Sequence, residues 1–193
     1  VNVRNAYDSE VVAMVNYAIK SHLRCRTFYI AYFWTFEHLK DIAVAKLKAL
    51  GFPTPDSIVS RTTDETFSDP SEETMAAIYN GVFNGTDGPA QCTLLFDDPR
   101  GGLFIAAAIG NHSSFDATST YMIGGSGLAL SKNTDSTGSS ETLANLHLVN
   151  HFPHPEDRRY NFVHNFQTAY KRVFELNTTG LRGRERVRTY DAL

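Results

Sequence analysis

Residues 124–130 read Gly-Gly-Ser-Gly-Leu-Ala-Leu and separate two parts of the chain that differ in hydrophobic pattern. Upstream of this stretch, apolar residues recur mostly at helical spacing. Downstream, short apolar runs at 128–131 and 146–149 flank a segment rich in Ser, Thr, Asn, Asp and Gly. Two such runs joined by turn-forming residues are typical of a β-hairpin. We therefore expect antiparallel strands to begin just after Gly127.

The N-terminal part carries the longest helical pattern of the chain. Apolar residues recur at helical spacing over 8–50, and Asp8 or Ser9 is placed to cap the first turn. The aromatic residues crowded into 28–36 indicate burial on several sides. Gly51 and the prolines that follow it end the pattern. The sequence therefore predicts a long helical segment over 8–50.

Four further segments complete the predicted order of elements. Residues 54–72 are rich in Ser, Thr, Asp and Pro and predict an exposed loop. A second helix is expected over 71–83, a helix or helix pair of small residues over 103–123, and a last helix over 156–176. Helices that precede and follow a small antiparallel sheet define an α+β protein.

The turn-forming residues that follow Phe96 predict a boundary between two lobes. Asp97-Asp98-Pro99-Arg100-Gly101-Gly102 interrupts the hydrophobic pattern. We expect residues 1–98 to form an N-terminal lobe built on a helical hairpin. Residues 99–193 would form a C-terminal α+β lobe that ends in a basic tail.

Composition excludes few classes of protein. A net charge of −3, with 42% hydrophobic residues, is typical of an ordinary globular chain. The two cysteines, Cys25 and Cys92, are too few for a disulfide scaffold, and we expect reduced thiols. No apolar run is long enough for a membrane span, and no secretory leader opens the sequence. Asn-x-Ser/Thr triplets begin at Asn84, Asn111 and Asn177, but such triplets are common by chance.

Four motifs, in order along the chain, resemble those of the iron/manganese superoxide dismutases. They are the segment 20–30 in the first helix, the turn 96–102, the Gly-Ser-Gly at 125–127 and the segment 165–174 in the last helix. In this alignment Arg24 replaces the family's lysine, and Tyr29 occupies the position of the tyrosine that gates the active site. The resemblance implies an N-terminal helical hairpin followed by helices around a three-stranded antiparallel sheet.

The same resemblance implies that the metal site of that family has been lost. Ser21 occupies the position of the first histidine ligand, and no histidine lies between His38 and His112 to supply the second. Two registers remain open for the other ligands. One places Asn150 and His154 on the ligand positions, and the other places Pro153 and Asp157 there. Either register leaves at most one ligand of the right kind, so we expect no bound metal, no other cofactor and no catalytic residue.

A group of three histidines offers an alternative metal site. His147, His151 and His154 come close together in the sequence, and imidazole nitrogen is a common zinc or iron ligand. Neither a cysteine nor a glutamate nearby completes a closed tetrahedral site. We therefore favour a histidine-rich strand end packed at an interface.

A dismutase-like chain without metal ligands resembles the dismutase-like proteins of the mitochondrial small ribosomal subunit. The resemblance implies a non-catalytic structural protein in the mitochondrial matrix, paired with a second dismutase-like subunit and other ribosomal proteins. It also implies peripheral contact with rRNA, and neither a membrane nor a small-molecule substrate is expected. Arg182, Arg184, Arg186 and Arg188 form a basic tail suited to phosphate contacts, although they equally fit a solvated terminus.

Two other functions remain open at this point. The first is an active iron or manganese dismutase whose ligands have been displaced to positions that the motifs do not reveal. The second is a free-standing α+β binding protein. Bound metal would distinguish the dismutase from the structural protein, and salt-sensitive association with the ribosomal subunit would distinguish the structural protein from the binding protein.

Overall fold

A computed structural model of the chain describes residues 7–61, 69–129, 143 and 145–149. These residues belong to one compact unit, Ala6–Val149, and a second unit made of Val1–Asn5 and Asn150–Leu193 lies outside the described residues. The predicted lobe boundary at residue 98 falls inside the first unit, between two strands of one sheet. Because 99–193 is described only as far as Val149, the division into two lobes stays a prediction.

The described unit alternates helices and strands from end to end. The helices are α1 (Tyr7–Lys20), α2 (Glu37–Ala49), α3 (Glu72–Asn84), α4 (Pro99–Gly110) and α5 (Ser126–Ala129), with a 3-10 turn at Trp34–Phe36. The strands are β1 (Phe28–Phe33), β2 (Asp56–Arg61), β3 (Cys92–Phe96), β4 (Tyr121–Gly124) and β5 (Leu146–Leu148). None of these helices has the length and apolarity needed to span a bilayer.

The five strands form a single sheet in the order β2-β1-β3-β4-β5, and every pair is parallel. Parallel neighbours need a crossover connection, which is why a helix separates each strand from the next. The expected α+β fold with a three-stranded antiparallel sheet is therefore wrong. The protein is an α/β protein with a doubly wound parallel sheet.

Hydrophobic clusters cover both faces of this sheet. On one face, Ile30, Leu94 and Ile123 pack with buried residues of α1 and α2, such as Val15 and Leu47. On the other face, the alternate strand residues pack against α3 and α4; they include Tyr29, Ala31, Leu95 and Met122. Burial on both faces explains why the central strands lack the polar alternation of a half-exposed strand.

The predicted long helix over 8–50 divides into α1, β1 and α2. β1 reads Phe-Tyr-Ile-Ala-Tyr-Phe, and five of its six residues are buried. A short apolar run of this kind has the same hydrophobic signature in a buried strand as in a buried helix. The expected burial of the aromatic segment 28–36 is confirmed for 29–33, where the backbone is extended, but not for Trp34, which is exposed. Tyr29 is consequently a strand residue, and Arg24 lies in the connection with φ of 48°.

The Gly-rich stretch at 124–127 leads from a strand into a helix, the reverse of the expected order. β4 ends at Gly124, and α5 begins at Ser126, where its backbone N–H and hydroxyl both donate to the buried Glu10 carboxylate. The glycines leave room for neighbouring side chains: a Cβ at Gly124 would collide with Leu128, and one at Gly125 with Glu10. The stretch is thus a packing junction between α1 and the end of β4.

The predictions for the other segments had mixed outcomes. The helix expected over 71–83 is confirmed as α3, with Ser71 Oγ accepting the Thr74 N–H at 3.2 Å. The expected loop 54–72 instead contains β2, and 103–123 contains the end of α4 and then β4. A strand near 146–149 is confirmed as β5, but it lies parallel to β4 and forms no hairpin. The helix predicted over 156–176 lies outside the described residues.

The two cysteines form a disulfide rather than the expected free thiols. Cys25 lies in the connection before β1, and Cys92 is the first residue of β3. Their Cα atoms are 5.9 Å apart, and both side chains are fully buried. The parallel pairing of β1 and β3 brings together two residues that are 67 positions apart in the sequence, which sequence spacing alone could not indicate.

Candidate functional site

The strand order predicts a crevice at the carboxyl ends of β1 and β3. Chain order reverses between these two strands, because β1 connects to β2 on one side while β3 leads to β4 on the other. The connections leaving the two strands therefore diverge at this edge of the sheet and lead to α2 on one face and α4 on the other. In open α/β sheets, ligands bind at such a switch point, outside the carboxyl ends of the strands.

Five residues near this point form what we call the carboxyl-edge cluster: Phe33, Trp34, Arg61, Asp97 and Asp98. Arg61, the last residue of β2, hydrogen-bonds to the carboxylates of both Asp97 and Asp98, which follow β3. Its guanidinium carbon also lies 4.6 Å from the centre of the Phe33 ring. Arg61 thus ties the ends of β1, β2 and β3 together.

Burial and pairing set the charges of this cluster. Arg61 and Asp97 are almost completely buried, and the Ser60 hydroxyl donates to Asp97 at 2.7 Å. Burial raises the pKa of Asp97, although the bond from Ser60 and the charge of Arg61 oppose the rise. Burial acts in the same direction on Asp98, but the hydrogen bond from Arg61 and the N–H of Gly101 lower its pKa overall.

The charge of Arg61 is stabilised by the same two carboxylates. Burial lowers the pKa of Arg61, but the hydrogen bond to Asp98 and the charge of Asp97 outweigh this effect and raise it. A Cβ added at Gly101 would lie 2.7 Å from Arg61 Cζ, so the first turn of α4 needs a glycine to admit the guanidinium. One buried cation facing two carboxylates gives this cluster a net negative charge.

Trp34 supplies the exposed part of the cluster. It is the single tryptophan of the chain, and 42% of its surface is accessible to solvent. Its ring contacts Phe33 edge-on, with a centroid distance of 6.1 Å. Because Trp34 opens the turn after β1, it lies at the rim of the crevice. An exposed aromatic ring beside buried charge provides a stacking surface for a ligand.

The N-terminus of α4 also lies at this edge. It does not offer the usual binding site for an anion. The N–H groups of Arg100 and Gly101 both donate to Asp98 Oδ1, at 2.8 and 2.9 Å. A carboxylate of the protein therefore occupies the place where a phosphate would bind at a helix N-terminus. The edge also carries the exposed carboxylates of Glu37 and Asp69, which pair with Lys40 and Arg100 and so offset the charge of those cations. This arrangement disfavours phosphorylated ligands.

A second depression lies at the opposite, amino edge of the sheet. It is lined in part by Arg26, Phe28, Asp56 and Thr86. One of its two acidic residues is already engaged, because Asp56 Oδ2 accepts from the N–H and the hydroxyl of Thr86, at 3.3 and 3.2 Å. Its aromatic residue, Phe28, is less exposed than Trp34 at the carboxyl edge, so we regard the carboxyl edge as the better candidate.

Of the degenerate ligand positions predicted from the dismutase resemblance, the structure describes one. Ser21 lies just after α1, where its hydroxyl accepts the Leu23 N–H at 3.2 Å and so closes the turn. Asn150, Pro153, His154 and Asp157 lie outside the described residues, as do Arg182, Arg184, Arg186 and Arg188. Within the described ranges, no group of three His, Cys, Asp or Glu side chains is suitably placed to hold a metal ion.

One of the three clustered histidines is also described. His147 lies on β5, and its Nδ1 is 3.0 Å from the Tyr17 hydroxyl of α1. Its ring packs near those of His22 and Tyr121, with centroid distances of 5.9 and 5.8 Å. Desolvation, followed by the charge of His22, lowers the pKa of His147. His151 and His154 fall beyond the described part of the chain.

None of the five residues of the carboxyl-edge cluster was predicted from the sequence to be a site residue. Arg61 was assigned to an exposed loop, and Asp97 and Asp98 to a lobe boundary. One local signal was present: Asp98 followed by Pro99 is the pattern of an N-cap and first helical residue. No local signal shows that Arg61, some 36 residues earlier, reaches these carboxylates.

Comparison with known proteins yields no relative of this chain. No family model matches it, and neither a curated protein nor a solved structure does. The class of protein is therefore defined by the fold itself, a parallel, doubly wound α/β sheet whose five described strands have a switch point between β1 and β3. Any particular function has to be argued from that edge of the sheet.

Proposed function

We propose that this domain is a binding module for a small organic ligand, held at the carboxyl edge of the sheet. The observation that carries the proposal is the exposed Trp34 at the rim of the switch-point crevice. Parallel sheets of this order bind their ligands at that place. The neighbouring charges of Arg61, Asp97 and Asp98 are paired with one another.

The chemistry of the edge favours a neutral or cationic ligand with an aromatic or apolar part. Trp34 can stack on such a group or attract a cation through its ring. Asp98 occupies the helix N-terminus that a phosphate would need, and both carboxylates neutralise Arg61. Ser60 is fully buried and bonded to Asp97, so it is not an accessible nucleophile. These features favour binding over catalysis and argue against a nucleotide ligand.

Because Trp34 is the single tryptophan, its fluorescence reports directly on the proposed site. We expect a saturable change in emission when the full chain is titrated with a neutral aromatic compound or an aromatic amine. A nucleoside triphosphate should give no saturable change. The opposite result, saturation by the triphosphate alone, would contradict the proposal.

A matched pair of substitutions locates the binding surface. Trp34→Ala should weaken ligand binding roughly tenfold, or about 1.4 kcal/mol, when binding is measured by calorimetry. Leu50→Ala is the control, because Leu50 is 40% exposed against 42% for Trp34 but lies at the end of α2, on the amino edge. Equal loss of affinity in the two variants would show that the carboxyl edge is not the site.

The function implied by the dismutase resemblance stays a prediction, but the dismutase-like fold from which it was argued is wrong. A structural role in the mitochondrial small ribosomal subunit, its dismutase-like partner and its rRNA contacts all rested on an antiparallel dismutase sheet. The sheet is parallel. The basic tail, on which the rRNA contact depended, lies outside the described residues, so the parallel sheet favours the ligand-binding role over the ribosomal one.

A further inference from the structure

The amino edge of the sheet carries two Asn-x-Ser/Thr triplets that the proposed ligand site does not use. The first is Asn84-Gly85-Thr86, which begins at the last residue of α3. The second is Asn111-His112-Ser113, which begins at the residue that ends α4. Neither has proline in the middle position, so both match the acceptor sequence for N-linked glycosylation.

The structure places both asparagines where a glycan fits. Asn84 and Asn111 are exposed, and each lies where a helix gives way to the connection before the next strand. The residues at the third position, Thr86 and Ser113, are also exposed. A glycan is bulky and hydrophilic, so it requires a surface position of this kind.

A buried disulfide at the same edge is evidence about the cellular compartment of the protein. Cys25 and Cys92 are bonded and fully buried, at the ends of the chain segments that enter β1 and β3. Disulfides of this structural kind persist in oxidising compartments and are rare in reducing ones. The secretory pathway is oxidising, and it is also where Asn-x-Ser/Thr triplets are glycosylated. The disulfide and the exposed triplets therefore point to the same compartment.

We infer that this chain passes through a secretory pathway and is N-glycosylated at Asn84 and Asn111. The co-reactant is an oligosaccharide linked to a lipid pyrophosphate. The asparagine Nδ2 forms a bond to the anomeric carbon of the first sugar and loses one proton. The bond from that carbon to the pyrophosphate oxygen breaks, and the lipid pyrophosphate leaves with the electron pair. No oxidation or reduction takes place.

The positions of the two acceptors keep the proposed ligand site clear. α3 and α4 both end at the amino edge, because each leads into the start of a strand, whereas Trp34 follows the end of β1. Glycans at Asn84 and Asn111 would therefore extend from the edge opposite the crevice. The inference does not depend on the proposed ligand, since glycan occupancy is measured without it.

The test is to express the full chain behind a secretion signal in a eukaryotic cell and map its glycans by mass spectrometry. We expect occupancy at both asparagines, seen as conversion of each to aspartate when an amide-cleaving glycosidase removes the glycan. Secreted, disulfide-bonded protein that lacks a glycan at both positions would overturn the inference. So would a glycan confined to Asn177.

Substitutions at the third position test each site without changing its asparagine. Thr86→Ala and Ser113→Ala should each abolish one glycan, whereas Thr86→Ser and Ser113→Thr should retain it. The hydroxyl-preserving variants guard against misfolding as the cause, because Thr86 also bonds to Asp56. Asn80→Gln is a further control, since Asn80 is exposed on α3 but begins no such triplet. A glycan that survives Thr86→Ala would exclude Asn84 as its site.

Discussion

The two edges of the sheet are held together by different forces. At the amino edge, a covalent bond between Cys25 and Cys92 joins the segments that enter β1 and β3, and backbone bonds such as that from Gln91 N–H to the Thr27 carbonyl reinforce it. At the carboxyl edge, the buried charge of Arg61 joins the ends of β1, β2 and β3. One edge is thus fixed by a covalent bond, whereas the other combines buried ion pairs with an exposed aromatic ring, and it is there that we propose a ligand binds.

The largest expected effect concerns the amino edge. Reducing the disulfide should lower the free energy of unfolding by about 4 kcal/mol, because the bond closes a long loop of the unfolded chain. The measurement is urea denaturation with and without a thiol reductant. The double variant Cys25→Ala, Cys92→Ala is the control, and its midpoint should not respond to the reductant. An unchanged midpoint in the parent protein would mean that the amino edge does not depend on this bond.

The next largest effect concerns the carboxyl edge. Asp97→Asn should lower the free energy of unfolding by about 3 kcal/mol, because Arg61 would lose one of the carboxylates that compensate its burial. Asp69→Asn is the matched control at the same edge, since its pair with Arg100, at 3.2 Å, is exposed on both sides. That change should cost less than about 1 kcal/mol. Similar losses of unfolding free energy in the two variants would show that the buried pair of Arg61 and Asp97 stabilises the fold no more than the exposed pair does.

The smallest effect concerns neither edge but the last strand, where His147 contacts α1. The pKa of His147 is lowered in the folded state, so folding favours the neutral ring. The free energy of unfolding should therefore stay constant at pH values above the ordinary histidine pKa of about 6.5. It should decrease as the pH falls from there through the lowered pKa of His147. Denaturation between pH 7.5 and 5.5 should show a shallower decline in His147→Gln. Identical slopes would exclude His147 as the cause.

Local features of the fold could be predicted where the signal is carried by neighbouring residues. The Ser71 cap, the extent of α3 and the presence of a strand at 146–148 followed from capping and hydrophobic pattern. The 28–33 segment could not be assigned in this way, because burial on both faces removes the alternation that marks a strand. Because this segment was wrongly predicted as helix, the N-terminal part resembled the helical hairpin of the dismutase family.

The candidate site could not be predicted from residues that are neighbours in the sequence, for a related reason. Trp34, Arg61 and Asp97 lie at the ends of three different strands, and only the order and direction of those strands bring their ends to one edge. The sequence by itself determined the Ser71 cap, the interruptions of the hydrophobic pattern and the Asn-x-Ser/Thr triplets at Asn84 and Asn111. The tertiary structure alone decided the parallel direction of the strands, the pairing of Cys25 with Cys92 and the burial of Arg61. The physical reason is that each of these depends on contacts between residues far apart in the chain, whose free energy no local pattern records.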